Sequence, residues 1–512
     1  MATEQVSGDT RAEADSEPRS SKYWLAEIEA AKGRVGPWHK RAHGVLERYR
    51  DERDEANKNQ RKVNILWANT EVLKAALFAE LGNPDVRRAF PYPGQDNKIA
   101  RTAALLLERC LTACSNLYDS TYEIECAIED MLLPGRGQCW LEYEVEMDDG
   151  DAIRYQEAKF CYVQWDRFLH GAGNRFTDWP WVGRMHLFTR DELVEKFDDK
   201  VGKEIPLGYC LPEGKKDDKD EIFKRAAVWE IWDKAKKERH YIAEDYKDVL
   251  KSDADPFKLR NFFPCPRPLD AIKTTTDSTP IPEYCEYQDQ AAELDRVTTR
   301  INKLTEMMKW AGLYDDAMPD VDKLLDLGYL NDGQFDPLKG AAAWRDAGGI
   351  EAALFSIPLD KIAAALQQLY QQRGILIQTI YEITGISDII RGSSDPNETL
   401  GAQKLKANFG SLRMQKRQKA VQRFVRDLFE IKGELIAEHF EPKQLSQMSG
   451  ILLPTAEEKA QAQQIMARVE QMKQMQAMQA QQQQMVQQQP QGGPPMPPPG
   501  GQAQPMPQGM AA

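Results

Sequence analysis

The chain contains no apolar run that approaches the ~20 residues needed for a membrane-spanning helix. Residues 1–20 are polar, rich in Asp, Glu and Ser, and lack the apolar core of a secretory signal. These absences predict a chain that is made in the cytosol, has no membrane partner and is disordered over residues 1–20.

Motifs for metal and phosphate binding are also missing. The eight cysteines include no Cys-x-x-Cys pair, and no histidine lies near Cys110 and Cys114 in sequence to complete a zinc site. The segment Pro134-Gly-Arg-Gly137 lacks the Gly-Lys-Ser/Thr of a phosphate-binding loop and precedes a strand pattern, so it is interpreted as a turn. We therefore expect reduced thiols, no metal and no cofactor.

The dominant positive feature is helical periodicity between Pro282 and Phe440. Apolar residues recur at intervals of three and four in three stretches, which is typical of amphipathic helices. The first contains Leu294 and Val297, and the second contains Ile362 and Leu366. The apolar positions of the third are Leu405, Phe409, Leu412, Phe424, Leu428, Leu435 and Phe440. Residues 312–356, which are rich in Gly and Pro, predict a small irregular module with a strand or two at the far end of a helical hairpin.

Charge is distributed unevenly along the third stretch. The whole chain has a net charge of −13, which argues against general coating of nucleic acid. Nevertheless, residues 399–426 contain no Asp or Glu. They contain eight cations: Lys404, Lys406, Arg413, Lys416, Arg417, Lys419, Arg423 and Arg426. Either this is a solvated or ion-paired face, or it is a face that meets a polyanion.

The N-terminal half alternates helix and strand patterns. We expect helices over 22–61, 63–81 and 97–133, a β-hairpin over 138–147 and 154–163, and a second strand pair over 226–234 and 239–245. In the hairpin, Cys139 and Leu141 point one way. The alternate positions Glu142, Glu144 and Glu146 predict a solvent-facing row of carboxylates.

Four segments in this order resemble the portal protein of tailed bacteriophages, the head-to-tail connector. Asn64-Ile-Leu-Trp-Ala-Asn-Thr-Glu-Val-Leu, ending at Gly82-Asn-Pro84, is similar to the early wing helix. Glu129-Asp-Met-Leu-Leu-Pro-Gly-Arg-Gly-Gln-Cys-Trp-Leu-Glu142 resembles the start of the wing sheet. The two long helices around an irregular module resemble stem, clip and stem. Ile383-Thr-Gly-Ile-Ser-Asp-Ile-Ile-Arg-Gly392, with Asn397-Glu-Thr399, resembles the segment before the tunnel helix.

The resemblance covers about residues 22–440 and implies an α+β, mainly α portal fold with wing, stem, clip and crown. The implied organisation has nine parts: a disordered N-terminus (1–20), a wing with a β-sheet (21–283), a first stem helix (284–311), a clip (312–356), a second stem helix (357–384), a wing or tunnel-loop segment (385–403), tunnel and crown helices (404–440), a C-terminal crown or barrel helix (441–489) and a disordered Pro/Gln-rich tail (490–512).

The implied function is a dodecameric homo-oligomeric ring at one capsid vertex of the virion, assembled in the host cytoplasm. Such a ring passes double-stranded DNA without sequence specificity during packaging and ejection. Its implied partners are the terminase large subunit, tail adaptor proteins, and the major capsid and scaffolding proteins. No catalysis is implied, because ATP hydrolysis belongs to the terminase.

The resemblance also implies two groups of site residues. The tunnel-segment candidates are Gly385, Arg391, Gly392, Asn397, Glu398 and Thr399. The clip candidates that would face the terminase or an adaptor are Asp315, Asp316, Asp332 and Asp336. The eight cations of 404–426 either touch DNA phosphates or pair with an acidic neighbouring subunit. We favour subunit pairing for most of them, in which case neutralising Lys416 and Arg417 should weaken ring assembly.

Two alternatives remain open from the residues. One is a metal-dependent hydrolase that uses Glu142, Glu144 or the Asp148–Asp151 turn, although ordered His or Asp partners are missing elsewhere in the sequence. The other is a different virion structural protein, such as a tail adaptor or an injected protein. Copy number in the particle separates the second alternative from a portal.

Overall fold

The computed structural model describes residues 19–52, 61–78, 84–87, 98–147, 153–211, 223–309, 312–314, 339, 341–346, 348, 354–356, 359–386, 400–454 and 456–487. The fold is mixed α+β and mainly helical, which confirms the expected class. The chain divides into two compact units, Met1–Ser449 and Gly450–Ala512.

The α-helices of the described residues are α1 (Ser21–Tyr49), α2 (Ile65–Phe78), α3 (Lys98–Leu117), α4 (Ser120–Leu132), α5 (Arg190–Phe197), α6 (Asp199–Glu204), α7 (Gln288–Met307), α8 (Ala341–Asp346), α9 (Leu359–Thr384), α10 (Leu400–His439), α11 (Pro442–Ser449) and α12 (Ala456–Gln487). The second unit contains α12, whose side chains are exposed from residue 457 to residue 478.

The strands are β1 (Arg136–Met147), β2 (Ile153–Val163), β3 (Phe168–His170), β4 (Trp181–Phe188), β5 (Tyr209–Cys210), β6 (Lys224–Asp233), β7 (Glu238–Ala243), β8 (Lys251–Ala254), β9 (Leu269–Asp270), β10 (Gly312–Tyr314) and β11 (Leu354–Ser356). One sheet has the order β2-β1-β9, and a larger sheet has the order β3-β4-β6-β7-β8, with β5 beside β6. Every strand pair in these sheets is antiparallel.

A single helix over 97–133 was the wrong prediction. The structure has two helices, α3 and α4, with a break at Asp119, whose φ is 42°. The Asp119 carboxylate accepts a hydrogen bond from the Tyr122 amide and so caps the N-terminus of α4. Short polar residues tolerate this left-handed conformation better than most, which is why an Asp can end one helix and begin the next. The first helix also ends earlier than expected, at Tyr49 rather than near residue 61.

The β1–β2 hairpin occurs where the alternation predicted it, with Leu141 opposite Phe160. The solvent-facing row of glutamates is only partly correct. Glu142 is largely buried and its carboxylate lies 2.6 Å from the Arg184 guanidinium of β4. Glu142 is enclosed because the second sheet packs over this part of β1, which a strand pattern considered alone does not indicate.

Helices α7 and α9 form a hairpin through the apolar faces that the sequence predicted. Leu294 and Val297 of α7 share a buried cluster with Ile362 and Leu366 of α9. Strands β10 and β11 pair with each other beyond the ends of these helices, with Leu313 opposite Phe355. The chain between the two helices therefore starts and finishes at one strand pair.

Candidate nucleic-acid and subunit interface on helix α10

Helix α10 has one face in the core and presents two of its described lysines on another face. Phe424, Leu428 and Leu435 are buried in the largest hydrophobic cluster of the protein. Lys416 and Lys419, at the helical spacing that places them on the other side, are exposed. Leu412 lies on this outward face and is 59% exposed, so its predicted role in the apolar stripe is wrong.

Arg413 is committed to the end of another helix. Its Nη1 atom donates to the carbonyl oxygens of Glu382 (3.2 Å) and Ile383 (3.1 Å), which belong to the last turn of α9. Gly385 follows α9 with a φ of +70°, and a Cβ built there would lie 2.6 Å from Arg413 Cδ. Arg413 therefore satisfies free carbonyls at a helix C-terminus, where positive charge is favourable, and Gly385 leaves room for it.

Arg417 is committed to a carboxylate far away in sequence. Its guanidinium pairs with Glu283, which precedes α7. Burial raises the pKa of Glu283 above its ordinary value, and the positive charges of Arg417 and Arg413 oppose that rise. Because Arg417 stabilises the fold through Glu283, a change in ring assembly after its neutralisation could come from lost stability. The Lys416 and Arg417 substitutions expected from the sequence therefore do not test subunit pairing by themselves.

The remaining described cations differ from one another. Arg426 pairs with its neighbour Asp427 at 2.8 Å. Lys416 and Lys419 form no ion pair with any described residue. Arg423 is half-buried, and burial together with the guanidinium of Arg267 lowers its pKa. Of the cations whose side chains are described, the two lysines are thus the ones presented to solvent without a partner.

Several predicted residues cannot be positioned. Lys404 and Lys406 lie on the backbone of α10, but their side chains are outside the described part of the chain. Of the tunnel-segment candidates, Gly385 is described. The remaining candidates lie outside the described residues: Arg391, Gly392, Asn397, Glu398, Thr399, Asp315, Asp316, Asp332 and Asp336.

The second half of α10 reverses the charge. After residue 426 the helix and its C-terminal end carry Asp427, Glu430, Glu434, Glu438 and Glu441. Glu434 accepts a hydrogen bond from the Arg260 amide at 3.0 Å, and Lys258 lies 3.6 Å from Glu438. These partners sit more than 170 positions away in the chain, so no local sequence signal indicated them.

The carboxylates of the hydrolase alternative take part in ion pairs. Besides Glu142 with Arg184, Glu144 lies 3.3 Å from Lys159. Asp148 and Asp151 are outside the described residues. Within the described part of the chain, no group of three or more His, Cys, Asp or Glu is arranged to hold a metal ion. No described helix is both long enough and apolar enough to cross a membrane.

In a comparison with models of known protein families the chain has no match, and it matches none of the curated proteins.

Proposed function

We propose that this protein is a portal protein of a tailed bacteriophage, which forms a ring at one capsid vertex. Double-stranded DNA passes through this ring, and the terminase large subunit and tail adaptors dock on it. The proposal rests first on the resemblance of the four sequence segments. The structural observation that carries it furthest is the α7–α9 hairpin joined beyond its ends by the β10–β11 pair and followed by the long helix α10.

The dimensions of these helices suit a channel. With 26 residues, α9 is about 39 Å long, and with 40 residues, α10 is about 60 Å long. The first corresponds to the proposed second stem helix and the second to the proposed tunnel and crown helices. The α+β part over residues 21–283 corresponds to the proposed wing.

The charge pattern is consistent with a ring through which DNA slides. An acidic chain repels phosphates, which limits the counterion-driven binding that would hold DNA against the channel wall. Among the described side chains of α10, Lys416 and Lys419 are the exposed cations that form no ion pair and could contact a neighbouring acidic subunit. Such a contact would neutralise the two lysines, so that they do not bind the phosphates of DNA and slow its passage through the channel.

Native mass spectrometry and negative-stain imaging of the full chain test the proposal. We expect closed rings of about twelve subunits with a central hole, in accord with the resemblance and with closed cyclic symmetry. Assembly should be repeated with the scaffolding protein, since that is a proposed partner. A stable dimer, or a monomer that persists with scaffold, would contradict the ring.

The double variant Lys416→Gln/Lys419→Gln then distinguishes the two roles of the cationic face. Loss of rings would support subunit pairing, whereas intact rings with altered DNA packaging would support DNA contact. The matched control is Lys200→Gln/Lys247→Gln, which removes two exposed lysines far from α10 in sequence and should leave both properties unchanged.

A further inference from the structure

A cavity of about 740 Å³ lies within the first unit, between residues 259–275 and one face of α10. We name it the arginine cavity because Arg175, Arg267 and Arg423 all line it. Its size is within the ~300–1,000 Å³ range of small-molecule sites. It is separate from the Lys416 and Lys419 positions, which do not line it.

The three guanidinium groups of the arginine cavity have no ion-pair partner among the described residues. Arg175 and Arg267 are exposed, and the Nε atom of Arg423 is buried with no hydrogen-bond acceptor. Arg423 and Arg267 are close enough for each to repel the other's charge. The carboxylates of Asp427 and Asp270 also act on Arg423, but neither forms an ion pair with its guanidinium. Two like charges that face one cavity are stabilised when an anion binds between them.

Each carboxylate on the cavity wall lies within 4 Å of another cation, and Glu430 and Glu434 share one of them, Arg260. The ion pairs are Asp270 with Arg136 (2.7 Å), Asp427 with Arg426 (2.8 Å), Glu434 with Arg260 (3.6 Å) and Glu430 with Arg260 (3.9 Å). The cavity therefore combines carboxylates that lie within 4 Å of other cations with three guanidiniums that have no described carboxylate within that distance, and the buried Nε atom of Arg423 is left for a ligand oxygen.

The rest of the wall has the character of a ligand site. Asn174 and Thr177 add polar groups next to Arg175, and Lys273 also lines the wall, where it lies 3.5 Å from the Asp270 carboxylate. Phe176 and Leu259 supply an apolar side on which a flat organic group can pack. A guanidinium binds two phosphate oxygens at once, so paired arginines suit phosphate better than a single carboxylate would.

We infer that the arginine cavity binds the phosphate group of a nucleotide-sized ligand through Arg267 and Arg423, with the organic part against Phe176 and Leu259. The phosphate has two sources, a free nucleotide or a nucleotide unit at the end of a DNA strand. The inference goes beyond the proposed function and does not depend on it, since it uses only residues of the one chain.

Isothermal titration of the full chain with thymidine 5′-monophosphate, and separately with thymidine, measures the site directly. We expect the monophosphate to bind and the nucleoside not to bind. Arg267→Gln should weaken the monophosphate at least about tenfold, because a hydrogen-bonded charge pair is lost. Arg267 is exposed, so this variant should keep its fold even if Arg423→Gln does not. The matched control is Lys419→Gln, a cation of the same helix outside the cavity.

A short DNA strand with and without a 5′-phosphate identifies the source. If only the phosphorylated strand displaces thymidine 5′-monophosphate, the natural ligand is a strand end. If neither strand displaces it, the natural ligand is a free nucleotide. The inference is overturned if neither the monophosphate nor the phosphorylated strand binds. It is also overturned if Lys419→Gln weakens binding as much as Arg267→Gln, since that result indicates only general attraction to a cationic surface.

Discussion

Two groups of charged residues in the first unit show how differently the same side chains can be used. Inside the larger sheet, Glu230 is 2% exposed and lies 2.8 Å from both Arg184 and His186. Trp232 donates its indole N–H to the same carboxylate at 2.9 Å. On the outer face of α10, by contrast, Lys416 and Lys419 are exposed and have no described ion pair.

The difference is in the partners and not in the number of charges. Burial by itself would raise the pKa of Glu230, but Arg184, His186 and Arg239 outweigh it and hold the pKa well below its usual range. The charges of such a network stabilise the fold. A cation that is available for DNA or another subunit must instead be one whose removal hardly changes stability, and the predictions below test whether the two groups differ in this way.

The largest effect is expected for Glu230→Gln. Glutamine keeps the shape but not the charge, so Arg184 retains only Glu142 while both remain buried. Breaking a buried pair typically costs about 3–5 kcal/mol in the free energy of unfolding, and we expect a loss in that range. Urea denaturation measures it. Glu144→Gln, which breaks the exposed pair with Lys159, is the control and should change stability by less than about 1 kcal/mol.

A smaller, pH-dependent effect is expected at Asp130. Burial raises the pKa of this carboxyl to about 7 from an ordinary 3.8, despite hydrogen bonds from Tyr162 and Trp165. The folded state thus holds the proton more tightly than the unfolded state. Its contribution to stability is complete below about pH 4 and is lost as the pH rises through 7.

In Asp130→Asn the one side-chain oxygen can still accept the hydrogen bonds from Tyr162 and Trp165, and the side chain cannot ionise. We therefore expect the stability of the variant relative to the wild type to rise by about 2–4 kcal/mol between pH 4 and pH 8. Unfolding curves at several pH values measure this difference. A difference that stays flat with pH would show that Asp130 is ionised in the folded protein throughout.

The smallest effects compare adjacent residues on α10. Arg417→Gln leaves the buried Glu283 without its cation and should cost about 1.5–3 kcal/mol. Lys416→Gln removes the same charge one residue earlier, where nothing in the described part of the fold depends on it. Its effect should stay within about 0.5 kcal/mol. If both variants lost the same amount of stability in thermal or urea unfolding, the distinction between cations that stabilise the fold and cations that are available to a partner would be contradicted.

The sequence alone predicted the helices and strands best where one periodicity runs without interruption. The apolar residues of α7 and α9 lie every three or four positions, and the structure buries Leu294 and Ile362 accordingly. The β1–β2 hairpin followed from alternation in the same way. Prediction failed at Asp119, because apolar spacing continues across a break that a single backbone conformation creates.

What the sequence determined by itself was the class of the fold, the long helices of the second half and the presence of an acid-free cationic stretch, since all three depend on local spacing and composition. Tertiary structure decided which of those cations is available. Arg417 reaches Glu283, and Arg413 reaches the end of α9, through contacts between residues distant in sequence. Tertiary structure also buried Glu142 and gathered Arg175, Arg267 and Arg423 around one cavity. The physical reason is that the energy of a charge depends on its burial and on its nearest partners, and both are fixed only when distant segments pack together.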